Sequence, residues 1–138
     1  MIKIITDVGY CYGVKHAIKT LEQASEKNKS LTLLHPLIHN IKENQSIMER
    51  TGSHLFNPET DIQPEAVVFS AHGFTKEEEK KFSGKSVIIN GTCPLIISRY
   101  EKISALSPDV DIVFLGKKGH QETLGFLSHF PRMKFIDQ

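Results

Sequence analysis

The chain has 138 residues, 39% of them apolar and 24% charged, with a formal net charge of +1. That size allows one domain, or one domain and part of a second, and the composition is ordinary for a globular protein. So small a positive surplus argues against a general nucleic-acid binder, which needs a basic surface to displace counterions. No apolar run reaches the roughly 20 residues that cross a bilayer, so no membrane association is expected. Met1-Ile2-Lys3-Ile4-Ile5 passes directly into a strand-like pattern, without a signal peptide's long apolar stretch and cleavage site. Two cysteines far apart in sequence make no disulfide framework, and the expected compartment is the reducing cytoplasm.

Met1 to Thr6 is predicted as a strand, and Val14, Ala17, Ile18, Leu21 and Ala24 recur at helical spacing soon after it. Asn28-Lys29-Ser30 turns the chain into a second strand, Leu31 to Leu34. Pro36 then forces an extended path through His35 to His39. Asn40 is placed to cap the next helix with Glu43 reaching back, and Gly52 is placed to end it. Ser53 to Phe56 reads as a short strand, followed by a polar loop from Asn57 to Pro64. Ala66-Val67-Val68-Phe69 is apolar without alternation, as expected of a strand covered on both faces. Thr75 and Glu78 have capping-box spacing ahead of a helix through Phe82. Val87 to Ile89 reads as a short buried strand, and Pro94 suits the first position of a helix running to about Leu106. Asp111 to Leu115 is the next strand, Thr123 to Phe130 the last helix, and Met133 to Ile136 a final strand. This alternation predicts an α/β fold with a mostly parallel sheet and flanking helices.

In such sheets ligands bind beyond the carboxyl ends of the strands. Cys11, His39, His72, Cys93 and His120 each follow a different predicted strand, so all five are expected along one edge. Cys11 and Cys93 stand just before helices, where backbone N–H groups and the positive dipole end favour a thiolate. The plain alternative is that both are small buried hydrophobes. Thiolates suit a soft metal or an iron–sulfur cluster, whereas imidazoles and helix N-termini suit an anion such as phosphate. Glu122, two residues beyond His120, can supply or relay a proton.

Two rival chemistries fit less well. A zinc site can be counted from two cysteines and two histidines, but no C-x-x-C or H-x-x-x-H pair sets a chelate. Cys93 and Arg99 have the C-x5-R spacing of a phosphatase that wraps a phosphate. The residues between them, Pro94 to Ser98, are too bulky and helix-like for a loop whose N–H groups must converge. Lys117-Lys118 and the run Glu77 to Lys81 read as solvated surface.

Gly9-Tyr10-Cys11-Tyr12-Gly13-Val14-Lys15-His16-Ala17 resembles the first cysteine motif of the hydroxymethylbutenyl diphosphate reductases, the LytB/IspH family. His39-Asn40, Ser70-Ala71-His72-Gly73, Gly91-Thr92-Cys93-Pro94-Leu95 and Gly119-His120-Gln121-Glu122 match that family's later motifs in the same order. The resemblance implies the first lobe of a multi-lobe α/β enzyme over residues 1–93, and the incomplete start of a second lobe over 94–138. It implies an iron–sulfur reductase of the non-mevalonate route to isoprenoids, converting 4-hydroxy-3-methylbut-2-enyl diphosphate to isopentenyl and dimethylallyl diphosphates. Ferredoxin or flavodoxin would supply the electrons. Cys11 and Cys93 would be two of three cysteines holding a 4Fe–4S cluster with one iron open to the substrate hydroxyl. His39, His72 and His120 would face the diphosphate, and Glu122 would give a proton to the leaving hydroxyl.

The 138 residues depart from the family pattern in lacking the third cysteine, a later Ser/Asn diphosphate loop and a Thr motif, and Thr123-Leu124 replaces a common acidic residue. A truncated chain or fragment, inactive alone, is therefore expected. Its unfinished second lobe would leave an apolar sheet edge for another copy or for a missing C-terminal part. The alternative from another class is a non-catalytic module that binds phosphate or diphosphate through the histidines, without a cluster.

Overall fold

The computed structural model describes residues 9–138, so the predicted strand Met1 to Thr6 lies outside the described residues. Strands β1 (Leu31–Leu33), β2 (Ser53–Leu55), β3 (Ala66–Phe69) and β4 (Val87–Asn90) form one sheet in the order β2-β1-β3-β4. Every pairing in it is parallel. Parallel neighbours need crossover helices. Helix α1 (Tyr12–Ser25) leads into β1, α2 (Ile41–Thr51) joins β1 to β2, and α3 (Lys76–Phe82) joins β3 to β4. Helix α4 (Pro94–Ser104) then carries the chain to a second parallel pair, β5 (Val113–Gly116) and β6 (Lys134–Asp137), bridged by α5 (Gln121–His129).

The unbroken apolar run of β3 has a simple cause. Ala66 and Val68 face a cluster with Ala17 and Leu21 of α1 and Ile47 of α2, while Val67 and Phe69 face Phe74 and Phe82 on the other side. Alternate residues of one strand thus enter two different apolar layers, and all four are buried. A third cluster, built on Ile96, Phe126 and Met133 with Tyr100 and Phe114 packed against it, binds α4 to α5 and the second sheet.

The expectation that Val87 to Ile89 is buried fails. Val87 is 55% exposed and Ile88 and Ile89 are only half-buried. The cause is position: β4 ends the strand order and pairs only with β3 among the described residues. Val113 and Leu115 of β5 and Ile136 of β6 are likewise more than half exposed.

Local signals set most boundaries. Both halves of the Thr75–Glu78 capping box are present. Asn40 accepts the Glu43 N–H at 3.1 Å, but the reciprocal half is absent, and the Glu43 carboxylate lies 3.8 Å from Arg50 instead. Gly52 ends α2 at φ 65°, the left-handed region that favours glycine. Helix α5 starts at Gln121, two residues before the predicted start, because the ring of His120 caps it by accepting the Glu122 N–H at 3.3 Å.

Candidate functional site

The three histidines predicted to face substrate come from three separate connections and meet. His39 ends the loop after β1. Asn44 grips the residue before it: the Ile38 N–H donates to Asn44 Oδ1 at 3.2 Å, and Asn44 Nδ2 donates to the Ile38 carbonyl. His72 sits in the turn after β3, which the Gly73 N–H closes onto the Ser70 carbonyl at 3.2 Å with Gly73 at φ 90°. His120 is the N-cap of α5. His39 Nε2 and His120 Nε2 are 3.3 Å apart, and the ring centroids of His72 lie 4.5 Å from His39 and 5.5 Å from His120. One nitrogen from each ring lies within 4.8 Å of the others, a spacing that can serve an anion or a metal ion.

The predicted thiols open onto an adjoining cavity of about 200 Å³, lined by Cys11, Gly13, His72, Cys93, Arg99 and Glu122 among others. His72 therefore belongs to both the imidazole group and the cavity. A larger cavity of about 300 Å³ lies on another side of His39, but Pro36, Ile38, Ile41, Met48 and Leu55 make it largely apolar. The titratable and nucleophilic groups concentrate in the smaller one.

Both cysteines are N-cap residues, of α1 and α4, and neither side chain makes a capping hydrogen bond. Cys11 is exposed and Cys93 half-buried, so neither is the inert buried hydrophobe of the plain alternative. Backbone bonds lash the Cys93 turn to β3 and the segment after it: the Gly91 N–H donates to Phe69 and the Cys93 N–H to Ala71, each at 3.0 Å. Two glycines make this packing possible. A Cβ on Gly91 would lie 2.6 Å from the Phe69 carbonyl oxygen, and one on Gly13 would lie 2.8 Å from Cys93 Cβ and run into its sulfur. Sequence reasoning placed Gly13 in a motif and Gly91 in a turn, but neither contact crosses a short enough stretch of sequence to be seen there.

The electrostatics divide the site. Burial, followed by the neighbouring His39, His120 and His35, lowers the His72 pKa from 6.5 to about 4, so this ring is neutral at pH 7. Glu122 Oε1 lies 3.7 Å from Arg99 Nη1. Burial and the nearby Glu122 push the Tyr100 phenol up to about 12. Tyr100 went unnoticed in sequence, yet its hydroxyl sits between Gly73 and Gly125, whose added Cβ atoms would lie 3.4 and 2.7 Å from it.

The rival chemistries meet specific obstacles. Pro94 starts a regular helix, and the Ile96 and Ile97 N–H groups donate to the Cys93 carbonyl at 2.8 and 3.2 Å. Those amides are consumed, and Arg99 turns toward Glu122, so Cys93 to Arg99 forms no phosphate-wrapping loop. The zinc count of two cysteines and two histidines gives way to three clustered imidazoles beside two thiols. For an iron–sulfur cluster the donor chemistry fits in part. Two soft thiols at helix N-termini border one cavity, and Gly13 leaves room beside the Cys93 sulfur, but the chain's two cysteines supply two ligands only.

Comparison with known proteins gives relatives of one kind. A curated relative from Mycolicibacterium paratuberculosis, named 4-hydroxy-3-methylbut-2-enyl diphosphate reductase, is 34% identical over 128 residues, covering 89% of this chain and 38% of the relative. Its namesake from Buchnera aphidicola is 32% identical over 130 residues, covering 91% and 41%. The chain thus spans about two fifths of the length of these relatives. The solved E-1-hydroxy-2-methyl-but-2-enyl-4-diphosphate reductase of Plasmodium falciparum superposes with TM-score 0.77 at 25% identity, covering 96% of this chain and 43% of that one. A second solved structure, described as (E)-4-hydroxy-3-methyl-but-2-enyl diphosphate reductase, the terminal enzyme of the non-mevalonate pathway, gives TM-score 0.81 at 26% identity. It matches all of this chain with 52% of its own length. Since the LytB protein profile matches residues 2–137, nearly end to end, the chain belongs to the LytB protein family.

Proposed function

We propose that this chain forms part of an iron–sulfur reductase converting 4-hydroxy-3-methylbut-2-enyl diphosphate to isopentenyl and dimethylallyl diphosphates. Residues 1–93 are its first α/β lobe and 94–138 the beginning of a second. The reading places it in the cytoplasm, with ferredoxin or flavodoxin as electron donor. The observation that carries it is the single cavity shared by Cys11, Cys93, His72 and Glu122, with His72 also in the imidazole group.

Each residue has a task suited to its surroundings. His39, His72 and His120 take the diphosphate. His72, neutral at pH 7, enters as an N–H donor rather than as a cation, and its partners complete the cradle. Glu122, held near Arg99, stands at the cavity wall where it can pass a proton to a departing hydroxyl. Cys11 and Cys93 would hold the cluster, with the third thiolate coming from outside these 138 residues. When bound, the cluster supplies electrons and a Lewis-acidic iron for carbon–oxygen cleavage.

Anaerobic treatment with iron and sulfide tests this reading. The expected result is iron retention with brown visible absorbance, lost in Cys11→Ser and in Cys93→Ser. A second reading, the cluster-free diphosphate-binding module, is favoured by the contrast between a complete imidazole group and an incomplete thiol set. It predicts a colourless protein that binds pyrophosphate equally well with either cysteine replaced, and that result would remove the claim that these 138 residues hold a cluster by themselves.

A further inference from the structure

The charged run Glu77 to Lys81 reads in sequence as a solvated helix face, but one of its members does not behave as one. Glu78 is half-buried, with its side chain 21% exposed, and its two carboxylate oxygens bond to three separate segments. Oε1 accepts from His35 Nε2 at 2.6 Å. Oε2 accepts from the Thr75 N–H at 2.7 Å and from Gln121 Nε2 at 3.2 Å. These are the segments that bear the imidazoles. His35 lies in the loop that ends at His39, Thr75 ends the β3–α3 connection that contains His72, and Gln121 adjoins His120. Burial pushes the Glu78 carboxyl upward, but the bonds from His35 and the Thr75 N–H outweigh it and hold the group below the usual carboxylate range. The carboxylate is therefore ionised at neutral pH, and charge-assisted bonds of this length are among the stronger ones available.

We propose that Glu78 is a positioning residue for the imidazole group: one carboxylate fixes the relative placement of the loops carrying His39, His72 and His120. The inference rests on the reading of those rings as diphosphate ligands. Glu78 itself does not touch the reacting atoms. It acts by setting the separation of three rings that share no element of secondary structure, and recognition of a compact anion falls steeply when its ligands shift by an ångström.

The test uses the full chain, inorganic pyrophosphate and three variants. In Glu78→Ala, pyrophosphate affinity should fall at least about tenfold. Ring-to-ring nuclear Overhauser contacts among His39, His72 and His120 should fade in the same variant. Thr75→Ala is the control for simple damage to α3, because it removes the hydroxyl that caps the helix while leaving the Thr75 N–H bond to Glu78 in place. It should lower the melting temperature yet keep both pyrophosphate affinity and the inter-ring contacts. Glu78→Gln, which keeps an acceptor oxygen, should recover part of the affinity. Unchanged inter-ring contacts in Glu78→Ala would overturn the proposal, as would equal losses of affinity in Glu78→Ala and Thr75→Ala. Failure of the parent protein to bind pyrophosphate would sink the diphosphate reading alone, since the inter-ring contacts still report whether Glu78 sets the geometry.

Discussion

Replacing Gly13 by alanine probes how tightly α1 and α4 bring their cysteines to one cavity. The added Cβ would lie 2.8 Å from Cys93 Cβ, against an ordinary contact of 3.4 Å or more, and would also strike the sulfur. Cys93 must then retreat by at least about 0.6 Å, because close-packed interiors transmit such a displacement rather than absorb it. Alanine in place of glycine gains up to about 1 kcal/mol in a helix, less near its start. Overpacking costs about 1–3 kcal/mol. Overpacking wins, and a net loss of about 1–2 kcal/mol is expected from urea unfolding. The functional effect should be larger than the stability effect, since metal–ligand distances tolerate only about 0.2 Å of error. Alkylation followed by peptide mass spectrometry should show an altered rate at Cys93, and iron retention after anaerobic reconstitution should drop sharply. Gly13→Ala with parental stability and parental Cys93 reactivity would refute the claimed contact.

Several independent perturbations have equally definite outcomes. The unfolded chain takes up a proton at the His72 position near pH 6.5, which the folded ring refuses until about pH 4. Stability should therefore fall as pH drops through that window and stay flat in this respect above it, by at most about 3 kcal/mol and nearer 1–2 once screening of the partly exposed ring is allowed for. Urea midpoints at pH 7, 5.5 and 4.5 should show a smaller loss in His72→Asn. Gly52→Ala should cost about 1 kcal/mol in thermal unfolding from backbone strain alone, since the space around its Cβ is empty and φ is 65°. Thr75→Ala should lose about 1 kcal/mol with its helix cap, measured in the same way.

Much of this architecture was legible in local chemistry. Thr75 with Glu78 and Gly52 each act within a few residues, and both set the boundary expected of them. The parallel order followed from alternating elements, which leave parallel neighbours no short connection. The convergence of His39 and His72 was readable because strand-end loops of a parallel sheet face one way. His120 follows β5 of the second sheet and joins them from there, which the one-edge rule does not cover. What escaped was either long-range or dependent on sheet order. Val87 to Ile89 has the composition of a buried strand, yet among the described residues it stands at the end of the strand order and is exposed or half-buried. Gly13 meets Cys93 at a separation of eighty positions, and no periodicity records such a contact. Glu78 was hidden inside a run of like residues, because the spacing that marks it as a capping residue does not reveal its bonds to His35 and Gln121.

The imidazoles and thiols share one opening through His72, and the proposed chemistry depends on it. Alkylation of Cys93 by iodoacetamide, timed with and without saturating inorganic pyrophosphate, tests that most directly. Pyrophosphate should slow the reaction at Cys93, and the protection should weaken when His72 is replaced by asparagine. Saturable pyrophosphate binding that leaves the Cys93 rate untouched would place the anion elsewhere and contradict that chemistry.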